Sequence, residues 1–226
     1  MILRPMSDPD EWQAGLARPH HWQPGYSAME TAHAWQQATG APPEIAALLP
    51  PDAELVQAIP EYPVSLPGGG RPSFTDVFAL FSEPGGLHVA MIEGKRDESF
   101  GPTLSDRLAE ASPGVLARRD FLLSTLGLET EEVPGTIRYQ LLHRTVSALL
   151  TARRFHARRA SVIVQSFSAQ ARWFEGFAAF GALLGAEVAP NRLVPTRIDA
   201  PVPLHLGWAT APLRTDHLPR IDHAKV

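Results

Sequence analysis

Cysteine is absent from the 226 residues of the chain. Without cysteine there is no disulfide framework and no thiolate metal site, a composition that fits a reducing compartment. No uncharged apolar run approaches the roughly 20 residues that a membrane-spanning helix needs. The opening residues, MILRPMSDPDEW, also lack the basic and apolar regions of a secretory signal. We therefore expect a cytoplasmic protein with no membrane association.

Lysine and net positive charge are also scarce. The formal net charge is −4, and only two of the 20 basic residues, Lys95 and Lys225, are lysines. An acidic chain is not a generic polyanion binder, so any nucleic-acid role depends on a local basic face. Because arginine is used almost everywhere else, Lys95 is a candidate for a role that needs a compact, tunable ammonium group.

Hydrophobic periodicity and turn residues predict a single α/β domain, with an N-terminal helical arm over 1–57, a core over 58–210 and a tail over 211–226. Ser27 and Glu30 have the spacing of a capping box at the start of the first helix. The prolines of AIPEYPVSL favour an edge strand, whereas the next two strands are apolar on both faces and are expected inside the sheet. The predicted helices are 27–39, 43–49, a turn in 52–58, 103–111, 115–127, 137–155 and 173–185, and the predicted strands are 58–66, 73–81, 87–95, 160–167 and 203–209.

The second and third strands are predicted to form a hairpin around EPGG, residues 83–86. A loop of two or four residues there places Asp76 opposite Glu93 on one face of the sheet. Lys95 follows Glu93 by two residues and shares that face. A three-residue loop would instead turn one strand over and separate the two acids.

Two opposed carboxylates in an apolar hairpin repel each other and are costly to bury, unless a cation lies between them. Oxygen ligands of this kind suit Mg²⁺ or Mn²⁺. Lys95 beside them is placed to position or deprotonate a water molecule, or to stabilise a developing anion. The simpler alternatives are a solvated strand end for Glu93 and Lys95, and a turn cap for Asp76.

This pattern of Asp, turn and E-x-K on consecutive strands resembles the PD-(D/E)xK phosphodiesterase superfamily over about residues 60–167. The resemblance implies an α/β, restriction endonuclease-like αβββαβ core, the fold of many restriction enzymes, RecB-like nucleases and Holliday junction resolvases. It implies that Asp76 and Glu93 are the metal-binding acids, that Lys95 is the motif lysine, and that the Gly94 carbonyl is a further metal ligand. The motif's proline is displaced, since Pro72 precedes Asp76 by four residues.

Three longer segments, IPEYPVSLPGGG, IEGKRDESFGPT and RYQLLHRT, are together similar to an uncharacterised bacterial family near these nucleases. That similarity spans most of the chain and brings no known activity with it.

The superfamily often adds an acid upstream of the Asp, and Glu30, Glu54 and Glu61 compete for that role. We favour Glu61 as a further metal ligand, because it lies on the strand predicted to neighbour Asp76. An edge-strand surface charge is the alternative for Glu61, and the capping box is the alternative for Glu30.

Gln140, His143 and Arg144 share one face of the helix over 137–155. RecB-like members carry a Gln on this helix and a Tyr four residues later, so Gln140 matches as a catalytic residue whereas Arg144 replaces the Tyr. Arg138, His143 and Arg144 are predicted to contact nucleic acid, within a stretch, 137–160, that contains six arginines and no acid. The alternatives are a solvated helix face and, for the arginines near its C-terminal end, compensation of the helix dipole.

The residues and the resemblance together lead us to expect a Mg²⁺- or Mn²⁺-dependent phosphodiesterase acting on nucleic acid, with DNA favoured. The rival is a non-catalytic module of the same fold that binds nucleic acid or a partner protein in bacterial defence or repair. A third alternative, a hydrolase of a smaller phosphoester, suits the acidic net charge. Because many enzymes of this fold dimerise, a homodimer is one state that the resemblance allows.

Overall fold

A computed structural model describes residues 6, 8–15 and 21–219. Lys225 and the last residues of the predicted tail, 220–226, lie outside the described residues, as do 1–5, 7 and 16–20 of the predicted arm. Within the described residues, no helix combines the length and the apolar character needed to cross a membrane.

The described chain forms a mixed six-stranded open sheet, in the order β1-β2-β3-β4-β6-β5, with helices on both faces. The α/β class is therefore confirmed. The strands are β1 (Glu54–Val64), β2 (Ser73–Glu83), β3 (Gly86–Lys95), β4 (Arg159–Ser166), β5 (Arg192–Pro195) and β6 (Leu204–Thr210). The helices are α1 (Ser27–Gln36), α2 (Pro43–Ala46), α3 (Leu104–Leu108), α4 (Pro113–Leu126), α5 (Tyr139–Arg154) and α6 (Phe174–Leu183), with 3-10 helices at Pro9–Gly15 and Thr130–Glu132.

The β2–β3 hairpin has the predicted register. Antiparallel pairs run from Val77 and Ile92 to Glu83 and Gly86, so the turn has two residues, 84 and 85. The apolar centres of both strands are buried, and β1 is the edge strand beside β2, as its prolines predict. The arithmetic that places Asp76 opposite Glu93 therefore rests on the register that the structure shows.

The rest of the sheet determines which strand ends meet. β3 and β4 pair in parallel through the long connection that contains α5, and β4 and β6 are also parallel, whereas β5 is antiparallel to β6. The carboxyl ends of β3 and β4 consequently lie together, at Lys95 and Ser166. Loops that follow such ends form the crevice where α/β sheets usually bind ligands.

Apolar side chains cover the sheet on both faces. One cluster joins the sheet to α4, α5 and α6, and includes Phe78, Leu142 and Phe177. The other joins it to the N-terminal segment and helices α1 and α2, and includes Trp35 and Ile45. Burial on both faces explains why the central strands read as continuous apolar runs.

Two local predictions are wrong, and one strand is missing from the predicted elements. The helical turn expected in 52–58 is the beginning of β1, whose Glu54 pairs with Ser82 across the edge of the sheet. The capping box is absent, because Tyr26 is the N-cap, and Ser27 and Glu30 have partners far along the chain. Strand β5 was not predicted, since its four residues are weakly buried and depend on pairing with β6.

Candidate functional site

The β2–β3 ladder opens into a fork at Asp76. The last pair is Val77 with Ile92, although β3 continues to Lys95 and β2 begins at Ser73. Beyond this pair, the Gly94 N–H donates to Asp76 Oδ2 at 2.8 Å. The Asp76 carboxyl therefore takes the place of a strand carbonyl, which holds it beside the E-x-K segment.

Glu93 lies at the centre of an ion-pair network. Its Oε1 accepts hydrogen bonds from Lys95 Nζ at 2.7 Å and from Gln140 Nε2 at 2.6 Å. Its Oε2 accepts from Arg144 Nε at 2.6 Å. Burial alone would raise the pKa of Glu93, but the charges of Arg144 and Lys95 and their hydrogen bonds hold that pKa at about 2. Glu93 is therefore ionised at any pH near neutrality.

The structure gives Gly94 a role that the sequence analysis did not find. A Cβ atom at this position would lie 2.1 Å from Thr31 Oγ1 and 3.4 Å from the Ser27 carbonyl oxygen, both on α1. Only a glycine lets α1 approach the strand this closely. The same approach brings Ala28 of α1 to the wall of the site.

Asp76 and Glu61 are carboxyls with raised pKa values. Burial, and then the charge of Glu93, raises the pKa of Asp76 to about 7, despite the opposing charges of Lys95 and Arg144. Burial, and then the charges of Asp76 and Glu93, raises the pKa of Glu61 to about 8. Near neutral pH this pair therefore retains protons that a nearby cation would displace.

Of the three acids that competed for the upstream position, Glu61 is the one that lines this site. It has a left-handed backbone conformation, with φ of 47°, which is uncommon outside glycine. Glu54 is exposed at the other end of β1. Glu30 is buried and accepts hydrogen bonds from the backbone and side chain of Thr215.

The acids and Lys95 open into a cavity of about 650 Å³. Its wall includes Asp76, Glu93 and Lys95, together with part of α5 and part of the N-terminal segment. Its aromatic and imidazole side chains are Trp12, His21, Phe74, Phe100, Tyr139 and His143. The sequence analysis did not assign Trp12 or His21 to the site, because only the folded chain brings the N-terminal segment to this edge of the sheet.

The predicted nucleic-acid contacts lie in three different environments. Arg144 is buried, and it donates to Ser73 Oγ at 3.0 Å as well as to Glu93. His143 Nδ1 lies 2.9 Å from the same hydroxyl. Burial and the charge of Arg144 lower the pKa of His143 to about 3, so the ring is neutral. Arg138 donates to the Gly101 carbonyl at 2.8 Å.

The basic stretch is divided between the two ends of α5. Arg138 and Arg144 lie near the cavity, whereas Arg153 and Arg154 are exposed at the other end of the helix. Sixteen residues of helix span roughly 24 Å. The distal arginines therefore do not line the cavity, and Arg159 instead pairs with Glu83.

Within residues 6, 8–15 and 21–219, no group of three or more His, Asp or Glu residues is arranged to hold a metal ion. The cavity is lined by the Glu61 and Asp76 carboxyls, beside a Glu93 whose oxygens already accept three hydrogen bonds.

Comparisons with known proteins give one match. Residues 5–213 match the model of a family described as a domain of unknown function, DUF6946. No curated protein and no solved structure matches the chain. Because the family model covers most of the sequence, the chain belongs to the DUF6946 family, whose description states no activity.

Proposed function

We propose that this protein is a Mg²⁺- or Mn²⁺-dependent phosphodiesterase that cleaves nucleic acid, built on a restriction endonuclease-like αβββαβ core. The observation that carries the proposal is the fork between β2 and β3. There Asp76, Glu93 and Lys95 gather beside one cavity of about 650 Å³. The order of α1, three antiparallel strands, α5 and a parallel β4 supports the same core.

The residues present fit a divalent cation on chemical grounds. Glu61 and Asp76 line the cavity and offer oxygen ligands, which Mg²⁺ and Mn²⁺ prefer, and the resemblance adds the Gly94 carbonyl. The pKa values of Glu61 and Asp76, about 8 and about 7, are raised first by burial and then by neighbouring carboxylates, and a bound cation would offset both effects. Glu93 would take part by exchanging one of its present hydrogen bonds. A bound ion would supply positive charge for a phosphate and lower the pKa of a water molecule.

Lys95 would act on the reacting phosphate. Its ammonium group is buried, lies 2.7 Å from Glu93 Oε1 and sits 5.3 Å from the centre of the Phe100 ring. An ammonium held rigidly in a site of low dielectric stabilises a developing oxyanion more strongly than one in water. Lys95 would therefore orient the attacking water or stabilise the transition state.

Gln140 and Arg144 act on the site through Glu93. They lie one helical turn apart on α5, and each holds a different oxygen of that carboxylate. Two fixed oxygens leave Glu93 no freedom to rotate, so Gln140 and Arg144 are positioning residues for the acid that holds Lys95.

The proposal is tested with labelled single-stranded, duplex and branched DNA and with RNA, each in EDTA, Mg²⁺ and Mn²⁺. Wild type is compared with Asp76→Asn and with Asp52→Asn, a control at an exposed acid in the chain before β1. We expect metal-dependent cleavage by wild type and the control, reduced at least about a hundredfold in Asp76→Asn. Equal cleavage by Asp76→Asn, or no cleavage of any substrate, would contradict the proposal.

One observation favours a second candidate, a non-catalytic module of the same fold that binds nucleic acid or a partner protein. Both oxygens of Glu93 already have cationic partners, Lys95 and Arg144, so the centre of the network is stable without a metal ion. Such a module would bind equally well with and without Mg²⁺, and Lys95→Ala would leave its affinity unchanged.

A further inference from the structure

A second cavity lies beside the site, between the loops that follow β3 and β4. It has a volume of about 360 Å³, within the range of about 300–1,000 Å³ typical of small-ligand sites. The two loops are joined at their origin, where the Phe167 N–H donates to the Lys95 carbonyl at 2.7 Å. Phe100 lines both cavities, so one aromatic ring separates this space from the acid and lysine cluster.

Trp173 forms one wall of the second cavity in a strained conformation. Its φ is 71° and that of Ala171 is 49°, both in the left-handed region that side chains other than glycine rarely adopt. The indole Nε1–H donates to the Asp97 carbonyl at 3.2 Å, which ties the ring to the loop after β3. Because Trp173 is only partly buried, part of its ring remains open to the cavity. Strain of this kind concentrates at sites of function.

A cation, Arg138, lies next to the Trp173 ring. The Arg138 guanidinium lies over the Trp173 ring, 5.8 Å from its centre, donates to the Gly101 carbonyl, and interacts electrostatically with the exposed Asp106 carboxylate. Arg172 and Glu175 also line the cavity; both are exposed and of opposite sign, and Arg172 pairs with Asp97 at 3.0 Å. Arg138 is therefore the cation closest to the Trp173 ring among the residues that line this space.

An aromatic ring beside an arginine is the usual platform for an unpaired base, since the base stacks on the ring while the cation contacts its phosphate. We propose that the second cavity binds an unpaired nucleobase of the substrate, stacked on Trp173, with Arg138 at the adjoining phosphate. This inference rests on the proposed phosphodiesterase function and narrows its substrate to nucleic acid with an unpaired base beside the cleaved bond. A paired base would have to leave its helix to enter a space of this size.

The test is the affinity of a short labelled single strand and of its blunt duplex, measured by fluorescence anisotropy in EDTA so that no cleavage occurs. The variants are Trp173→Ala, Trp173→Phe and Arg138→Ala, with Arg153→Ala as a control at an exposed arginine at the other end of α5. We expect Trp173→Ala to weaken single-strand binding about tenfold or more, which is the size of a lost base stack. Arg138→Ala should weaken it several-fold, whereas Arg153→Ala and duplex binding should change little.

A second readout does not depend on Trp173→Ala folding correctly. The single strand should quench tryptophan emission in wild type, and the quenched fraction should be clearly smaller in Trp173→Phe, which keeps an aromatic ring. Equal quenching in the two proteins, wild-type affinity in Trp173→Ala, or equal losses for single strand and duplex would each overturn the inference.

Cleavage in Mn²⁺ by the same proteins separates this inference from the proposed function. Selective single-strand binding through Trp173 without any cleavage would support the base site and contradict the phosphodiesterase. Cleavage that is indifferent to Trp173 and Arg138, with unchanged affinity, would support the phosphodiesterase and contradict the base site.

Discussion

Gly94 is constrained by a neighbouring helix and not by its own backbone conformation. Gly94→Ala places a methyl group 2.1 Å from Thr31 Oγ1, so the buried Thr31 side chain or α1 itself must shift. We expect the free energy of unfolding to fall by about 1–3 kcal/mol, as is typical of overpacking. Urea unfolding measures the change.

Gly176→Ala is the matched control for Gly94→Ala. It lies in α6, and a Cβ atom there meets no other atom within 4 Å. Because alanine is the better helix former, this variant should be as stable as wild type or slightly more stable. Equal stability of Gly94→Ala and Gly176→Ala would show that α1 does not press on the strand.

Asp76 and Glu61 predict an unusual dependence of stability on pH. Their pKa values in the folded protein, about 7 and about 8, lie above the ordinary values of 3.8 and 4.5. Between about pH 4 and pH 8 the folded state therefore binds more protons than the unfolded state, so the free energy of unfolding falls as pH rises. Glu93 affects stability over a different pH range. Its lowered pKa adds stability that is lost as pH falls from about 4.5 towards 2.

Asp76→Asn should remove much of this dependence in EDTA. Asparagine can still accept the Gly94 N–H, but it carries no charge to be desolvated. At pH 8 the variant should be more stable than wild type by about 4 kcal/mol, and at pH 4 the two should be nearly equal. Thermal unfolding across this range measures the difference, with Asp52→Asn as the control. A parallel pH profile for Asp76→Asn and wild type would refute the assignment.

Among the secondary-structure elements, α5 carries two side chains, Gln140 and Arg144, that donate hydrogen bonds to the Glu93 carboxylate. Arg144→Met removes the guanidinium that holds Glu93 Oε2 and leaves a buried carboxylate with less compensation. Breaking one side of a buried ion pair costs about 3–5 kcal/mol. We expect a loss of stability of that order in urea unfolding.

The double variant Arg144→Met, Glu93→Gln identifies the cause of that loss. If the loss comes from the uncompensated charge of Glu93, the double variant should be more stable than Arg144→Met alone. If the two substitutions add, the loss reflects packing around Arg144 and not its charge.

The sequence predicts elements well where local signals and pairing agree. The two-residue turn after Glu83 determines the register of β2 and β3, so the positions of Asp76, Glu93 and Lys95 follow from counting. The start of β1 at Glu54 and the whole of β5 depend on neighbouring strands, which no local pattern reveals. Pairing with neighbouring strands therefore outweighs the intrinsic secondary-structure preference of such short segments.

The sequence alone showed that Gln140 matches the Gln of RecB-like nucleases and that Arg144 stands where those proteins have a Tyr. What could not be read was that Arg144 would point inward and pair with Glu93, because an arginine on a helix more often faces solvent. The raised pKa values of Asp76 and Glu61 could not be predicted from the sequence either, since they depend on burial and on distances across three strands.

At the scale of the whole molecule, the two ends of the described chain meet beside the site. The Thr215 hydroxyl donates to Glu30 Oε1 on α1 and accepts the Gly25 N–H at 2.9 Å. Glu30 and Thr215 are 185 residues apart in sequence. This contact holds α1 against the sheet, and the N-terminal segment brings Trp12 to the cavity.

The net charge of −4 is consistent with how the arginines are used. Arg144 and Arg159 are engaged by Glu93 and Glu83, and the exposed Arg153 and Arg154 lie at the end of α5 away from the cavity. Two arginines lie nearer to it: Arg107 is 5.8 Å from the centre of the Tyr139 ring, which lines the cavity, and Arg138 donates to the Gly101 carbonyl. Nucleic acid would depend on a bound cation and on these two arginines for its electrostatic attraction, so its affinity should fall only modestly with added salt.

The proposed function depends most on a site for a divalent cation formed by Asp76, Glu61 and the E-x-K segment. The most direct measurement is a calorimetric titration of Mn²⁺ into wild type, Asp76→Asn and Asp52→Asn at pH 7, without nucleic acid. We predict saturable binding of about one ion with release of protons in wild type and Asp52→Asn, because the acids must ionise to bind it. Asp76→Asn should show no such binding. Absence of binding in wild type, or equal binding by Asp76→Asn, would contradict the account.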